Sequence, residues 1–452
     1  MKKLPQNLSP KHFEWGCATS SFQIEGGNFE GGRVASIWDD FCAQPGRIKD
    51  ASDGTVACDH FHRYADDVKL IADLGFKHYR FSIAWARVVN ADNSVNMAGI
   101  DFYSRLLDEL EKHRITPNAT LFHWDLPSHL EDGWLNRDTA YRFADYAALI
   151  AEHLGDRLPR VATLNEPWCS AFLGYDLGVF APGHTNRTSS LSAAHHLMLA
   201  HGLGIQAWRS RLSKTSLGIV LNPELCDPLT SQPEDVQAAK MAEYERNDSF
   251  LNPLFAREWP SVLLDQMGSR LSDRQAGDLE ITAQPLDFIG LNYYTRSIAK
   301  APSSPEDAKR GYTFVPPDAA DATDTTKQLT DIGWEIYPEG LKRVVNNLTQ
   351  NWPLPPIWIT ENGAADNTPV VNGSCDDDLR CAYIEQHLNK MSALIAEGTD
   401  IRGYYVWSLL DNFEWAHGYS QRFGIVHVDF ETQVRIQKKS ASMIKALLIS
   451  RL

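Results

Sequence analysis

Short runs of apolar and β-branched residues recur along the chain, separated by longer stretches whose apolar positions fall at helical spacing. Eight runs read as strands: residues 14–19, 77–84, 115–123, 160–166, 216–222, 287–295, 356–361 and 401–409. Each is rich in β-branched or aromatic residues and ends in polar ones, as buried strands do. Between them, residues 60–74 carry Phe61, Tyr64, Ala65, Val68, Ile71 and Ala72 at helical spacing, and residues 100–113 and 140–154 repeat the pattern. This is the mark of amphipathic helices. Asp138 and Thr139 are candidate caps for the last of these, and Gly155 is its candidate stop.

Strands alternating with helices predict a parallel α/β arrangement, and eight strands are enough to close a barrel. The expected fold is therefore α/β, a single (β/α)8 TIM barrel spanning residues 1–452, with long βα loops forming the active-site rim. The 452 residues alone would suggest several domains, but α/β barrels often exceed that length rule. No repeat and no linker marks a second domain. Residues 301–327, rich in Pro, Asp, Ser and Ala, read as a long exposed loop or insertion after the sixth strand.

Composition narrows the partners. Hydrophobic residues are 43% and charged residues 22%, with a net charge of −15. That balance suits a soluble globular chain and disfavours nucleic acid or an anionic membrane surface. No run of about 18 apolar residues exists, so no membrane span is expected. The start, Met1 to Gly16, has two lysines but no apolar segment after them, so no secretory signal is expected. Seven Cys without regular spacing read as free, mostly buried thiols in a reducing cytoplasm, although Cys375 and Cys381 lie close enough in sequence to pair. Thirteen Trp and fifteen Tyr are generous for this length; core and barrel packing accounts for most of them, and a site that stacks flat apolar ligand faces would use a few.

In such barrels chemistry sits at the C-terminal strand ends. These ends carry Gln23 and Glu25; Arg80; His123, Trp124 and Asp125; Asn165 and Glu166; Asn292 and Tyr294; Glu361 and Asn362; and Trp407 through Asp411 and Asn412 to Glu414 and Trp415. Glu166 and Glu361 each follow an apolar strand, which would hold their carboxyls on rigid elements near the axis. Strand-end carboxylates can simply cap helices or pair with Arg. Two of them, set among amides, His and Trp from other strand ends, point instead to a convergent site. Two carboxyls with different roles suit glycosidic bond cleavage: one protonates the leaving oxygen and the other attacks carbon or activates water. Arg80 and Tyr294 would lower the pKa of Glu361. Glu166 has no evident cation and would keep its proton. Hence Glu166 is expected as acid/base and Glu361 as nucleophile.

At these residues the sequence resembles glycoside hydrolase family 1. Thr163-Leu-Asn-Glu-Pro167 is similar to that family's acid/base motif and Ile359-Thr-Glu-Asn-Gly363 to its nucleophile motif. Phe13 to Gly26, Gly290 to Thr295 and Trp407 to Trp415 match three further patterns. The resemblance implies a retaining β-glucosidase acting on cellobiose, short cello-oligosaccharides or aryl β-glucosides, with no cofactor and no metal. It implies that Gln23, His123, Trp124, Asn165, Glu414 and Trp415 hold the non-reducing sugar, with Asn165 on the 2-hydroxyl and Gln23 and Glu414 on the 4-hydroxyl. Trp407 would lie under the ring, and its bond to Ser408 is a candidate cis peptide. Asn292 and Tyr294 would orient Glu361. Trp334 would flank the leaving group, and Trp168, Leu173 and Phe423 complete the expected site.

Glu414 stands where the family's 6-phosphosugar enzymes are expected to have Ser, so an unphosphorylated sugar is implied. Glu166 is intact where thioglucosidases have Gln. Ser21 and Phe22 replace an Ala and a Tyr common in the family. A broad β-glycosidase acting on galactosides or fucosides, a transglycosylase and a sugar-binding protein without turnover stand as alternatives. A homo-oligomer is left open. The Asp59-His60-Phe61-His62 stretch does not suggest a metal site, because His at i and i+2 do not share a helix face. His195, His196 and His201 read as packing or solvent-facing, and Asp376 to Asp378 as an acidic helix start. No phosphate-binding or dinucleotide-binding glycine pattern is present.

Overall fold

The computed structural model describes residues 5–320 and 327–449. The first four residues, including both N-terminal lysines, lie outside the described residues, as do 321–326 of the expected insertion and 450–452 at the end.

All eight predicted strands form, seven shorter than their apolar runs and the seventh shifted by one residue: β1 (Glu14–Ala18), β2 (His78–Ser82), β3 (Thr116–Phe122), β4 (Arg160–Asn165), β5 (Ser216–Leu221), β6 (Phe288–Asn292), β7 (Ile357–Asn362) and β8 (Ile401–Trp407). They close a barrel in sequence order, β8 pairing with β1, and every neighbouring pair is parallel. The strands are buried on both faces, which is why they read as continuous apolar runs rather than alternating ones. Inside the barrel pack Ala18, Ala162, Val220, Phe288, Trp358 and Tyr405. Gly16 is small for a reason: a Cβ there would sit 2.3 Å from the Tyr405 ring.

The N-terminal mouth is closed by charge and aromatics. Arg160 Nη1 and Nη2 bond Glu14 at 2.7 and 3.0 Å, and the Arg160 guanidinium lies 4.0 Å over the Trp358 ring. With that end plugged, the opposite mouth carries the cavity.

The three predicted helices form at His60–Asp73, Met97–Lys112 and Asp138–Leu154. Their bounds shift by up to three residues, the second helix starting at Met97 rather than at residue 100. Asp138 is already helical, and Asn136 plays the capping part, its Oδ1 accepting from Asp138 N at 3.0 Å. Gly155 opens a short 3-10 turn, Gly155–Arg157.

The insertion after β6 is not a plain loop. It contains a helix at Pro305–Arg310, a two-residue strand Thr313–Phe314 paired antiparallel to Ser297–Lys300, and a helix at Pro317–Ala320. Local rules explain the first helix: Ser304 caps it, Pro305 sits at its first turn, and Gly311 ends it at φ 90. Asp377 precedes the helix Asp378–Ala396, but it is no exposed acidic cap. It is fully buried, paired with Arg380 and bonded by Ser440.

All seven cysteines are free. His195 bonds Asp278 at 2.7 Å, His196 bonds the Trp134 carbonyl at 2.9 Å, and His201 bonds Thr163 at 2.6 Å. All three are buried, which excludes the solvent-facing reading. His60 pairs with Asp67, and His62 with Asp59 and Glu30. Among the described residues no helix is long and apolar enough to cross a membrane.

Candidate active site

A cavity of about 480 Å³ opens at the C-terminal ends of the strands. It is lined by every expected site residue except Gln23, Arg80 and Asn165; Arg80 and Asn165 bond the lining residues Glu361 and Asn292. Glu166 and Glu361 face it from the ends of β4 and β7, both almost fully buried.

The two carboxyls are joined by one hydrogen-bond network. Arg80 Nη1 donates to Glu361 Oε1 at 2.5 Å, and its Nη2 donates to Asn165 Oδ1 at 2.7 Å. Asn292 Nδ2 donates to the same Asn165 oxygen at 3.0 Å and to Glu166 Oε1 at 2.6 Å. The Thr360 hydroxyl fixes that amide by donating to Asn292 Oδ1 at 2.7 Å. The Tyr294 hydroxyl donates to Glu361 Oε2 at 2.6 Å. The arginine touches only one of the two glutamates.

That asymmetry sorts the protons. Burial raises the Glu166 carboxyl to about 7, and the charge of Glu361 adds to it. Burial also raises Glu361; Arg80, Tyr294 and Asn292 pull it back only in part. The sequence reading of a lowered Glu361 is therefore corrected, because the cost of burying a charge exceeds what its donors return. The order survives. A proton entering the pair goes to Glu166, which no guanidinium hydrogen-bonds; Arg246 acts on it only at a distance, as the last and smallest of the causes that lower it.

Glu414 adds a third carboxyl, half-buried as a residue but with its Oε2 out of solvent. Burial raises it to about 8, with Glu361 and Glu166 contributing after it. Its Oε2 has no protein partner. The argument that its charge repels a phosphate is accordingly weaker than the sequence suggests, since burial pushes the Glu414 carboxyl toward its neutral form.

Three site residues carry backbone strain. Glu166 has φ 44, Trp124 φ 79 and Trp415 φ 49, left-handed conformations that cost a bulky residue about 1–3 kcal/mol. Glu166 is held by its N–H on the Val220 carbonyl and by Cys169 N–H on its own carbonyl, both at 2.9 Å. The Trp407–Ser408 bond is cis, as the motif implied. Gly363 lets β7 pass it, for a Cβ there would meet the Trp407 carbonyl oxygen at 1.7 Å.

Around the floor, His123 stacks on Trp407 at 5.8 Å, and Trp124 packs against Trp415 at 4.6 Å. Trp124 Nε1 donates to the Asn165 carbonyl at 2.9 Å, and Asn165 Nδ2 lies 3.1 Å from His123 Nε2. Burial and the nearby Arg80 charge keep His123 neutral. Gln23 donates to Asn412 Oδ1 and the Phe413 carbonyl and accepts from Ser20, which ties it to the segment bearing Glu414. Trp334 meets Tyr294 edge-on at 5.5 Å and Phe423 at 5.8 Å. Ser21 donates to Asp125 Oδ2 at 2.8 Å, and Phe22 stacks on Trp415, so both unusual residues are built into the wall.

Comparison with known proteins agrees with this geometry. The pattern of Glycosyl hydrolase family 1 matches residues 5–451. The chain belongs to glycosyl hydrolase family 1. It is 44% identical over 441 residues to a β-glucosidase of Agrobacterium sp., across 97% of this chain and 95% of that one. It is 41% identical over 451 residues to a bifunctional β-D-glucosidase/β-D-fucosidase of Bifidobacterium breve, across 96% of each. The solved family 1 β-glucosidase of Thermotoga maritima superposes with a TM-score of 0.91 at 38% identity, covering 100% of this chain and 99% of that one.

Within this family 1 barrel, several cavity residues were not expected from the sequence. The Cys169 thiol donates to Glu166 Oε2 at 3.0 Å, and Asn222 Nδ2 reaches the same sulfur at 3.4 Å. The Arg246 guanidinium lies 3.8 Å over the Trp168 ring, and Glu245 accepts from Trp168 Nε1 at 3.2 Å. Cys169 and Leu173 belong to one π-helical turn, Cys169–Leu173, and Glu245 and Arg246 to another, Tyr244–Asp248. Such turns gather at functional sites, but the spacing that reveals an ordinary helix does not reveal them. Cys169 alone had a usable sign: it falls three residues after Glu166, one turn along the same face.

Proposed function

We infer that this chain is a retaining β-glucosidase in which Glu166 is the acid/base and Glu361 the nucleophile. The observation that carries the assignment is the single guanidinium of Arg80, bonded to Glu361 and not to Glu166. Glu361 attacks the anomeric carbon while Glu166 gives its proton to the departing oxygen, so the glycosidic C–O bond breaks as a C–O bond to Glu361 forms. Glu166, now ionised, takes a proton from water. That water displaces Glu361, and glucose leaves with its original stereochemistry.

Asn165 binds the 2-hydroxyl, where a hydrogen bond strengthens as the transition state forms. Gln23, whose Oε1 keeps one lone pair beyond its bond from Ser20, shares the 4-hydroxyl with Glu414. Glu414 Oε2, without a protein partner, takes the 6-hydroxyl. Trp407 lies under the ring, while His123, Trp124 and Trp415 close its far side. Trp168, Leu173, Trp334 and Phe423 lie toward the leaving group. The bifunctional relative supports a fucosidase side activity: a β-D-fucoside lacks the 6-hydroxyl assigned to Glu414 Oε2 and turns the 4-hydroxyl axial, where Gln23 and Glu414 still lie beside it. The free cysteines suit a reducing compartment.

The test is the anomer first formed from cellobiose or an aryl β-glucoside, read by NMR before mutarotation. β-Glucose is expected; α-glucose overturns the double displacement.

A further inference from the structure

We propose that the outer chamber of the cavity selects an aryl or arylalkyl leaving group over a second glucose unit. This rests on the β-glucosidase reading above and sharpens its substrate class. The cavity, about 480 Å³, extends well past the two glutamates. Besides Trp168 and Trp334, its lining brings together the apolar Ile298, Phe314, Val315, Pro316 and Pro317, alongside the polar Glu224, Arg246, Arg296 and Ser297.

This wall is held in place. Phe314 packs edge-on against Tyr312 at 4.8 Å, and Tyr312 is buried. Arg310, two residues earlier, bonds both oxygens of Asp176 at 2.9 and 3.2 Å. Phe314 is 38% exposed, an aromatic ring open to the cavity rather than folded into the core.

Four polar groups of the lining, Arg246, Glu224, Ser297 and Arg296, are already engaged with protein partners. Arg246 donates to Glu224 at 2.7 Å and to the Asn222 carbonyl at 2.9 Å, with its flat face on Trp168. The Ser297 hydroxyl donates to the other Glu224 oxygen. Arg296 lies between Glu335 and Asp227. A glucosyl leaving group brings several hydroxyls that must exchange water for partners already engaged, which is unfavourable. A flat hydrocarbon ring buries against Phe314 and the prolines without that cost.

The experiment compares kcat/KM for benzyl β-D-glucoside, cellobiose and methyl β-D-glucoside, in the wild type and in Phe314→Ser. Benzyl alcohol is a poorer leaving group than a sugar hydroxyl, so intrinsic reactivity favours cellobiose. The chamber predicts the reverse: benzyl glucoside exceeds cellobiose by about tenfold or more. It also predicts that Phe314→Ser lowers the benzyl-to-methyl ratio by about three- to tenfold. Cellobiose as the equal or better substrate overturns the proposal, and so does an unchanged ratio in the variant. Methyl glucoside keeps the two readings apart. If it is hydrolysed while benzyl glucoside gains nothing over cellobiose, the chamber reading alone fails. If no glucoside is hydrolysed, both fail.

Discussion

The inner end of the cavity and its outer chamber are built from different parts of the chain. The inner end uses strand termini: Arg80 on β2, Asn165 and Glu166 at β4, Asn292 on β6 and Glu361 on β7. These strands pair through parallel barrel registers, so small displacements there are resisted by the whole sheet. The outer chamber uses two π-helical turns and an insertion after β6. Its charges are paired to each other rather than aimed at a reacting atom. The difference separates two tasks. The inner end fixes the chemistry for every glucoside. The outer chamber sets which leaving group arrives.

The largest effect that would break this division is loss of the acid. Glu166→Gln should lower kcat/KM on cellobiose by about 10²- to 10⁴-fold, yet barely slow the first step on a dinitrophenyl glucoside, whose leaving group needs no proton. Comparing the two substrates in burst kinetics checks it. Equal loss on both would place Glu166 outside proton transfer.

Next comes the sugar's anchor. Glu414→Ala removes hydrogen bonds to a carboxyl, about 1.5–3 kcal/mol or roughly ten- to a hundredfold in kcat/KM. The loss should be similar for aryl and alkyl glucosides, since it belongs to the inner end. A loss confined to one leaving group would blur the two regions. It should also be smaller on β-fucosides, which lack the 6-hydroxyl.

The smallest effect is a pH shift. Glu166 acts in its protonated form, and its folded-state value is about 7. Activity is therefore present below that value and falls as pH rises through it, giving kcat/KM on cellobiose an alkaline limb near pH 7. The Cys169 thiol is a weak donor to the ionised carboxyl. Cys169→Ser puts a stronger donor there, which should move the limb down by a few tenths of a pH unit, about 0.5 kcal/mol. Cys169→Ala should move it up. A pH profile identical in both variants would reduce Cys169 to packing.

How much of this was readable in the residues follows the same division. The eight strands were legible because buried parallel strands leave continuous apolar runs. Glu166 and Glu361 were legible because both end such runs amid polar neighbours. The network between them was only half legible. Arg80 and Tyr294 were expected beside Glu361, but the burial that outweighs them is a property of the closed barrel. Phe314 and Arg246 were not legible at all. The composition of residues 301–327 says loop, and only tertiary contacts such as Arg310 with Asp176 and Tyr312 in the core make it a wall. Asp377 shows the same limit, since an acidic run gives no sign that one member is buried against Arg380.

The central claim is that Glu361 forms the bond to the sugar. Glu361→Ala should abolish hydrolysis of an aryl β-glucoside, and added azide should then restore turnover by attacking from the vacated face. NMR of that product decides the matter. α-Glucosyl azide is the expected result; β-glucosyl azide, or azide-independent turnover, would contradict the assignment.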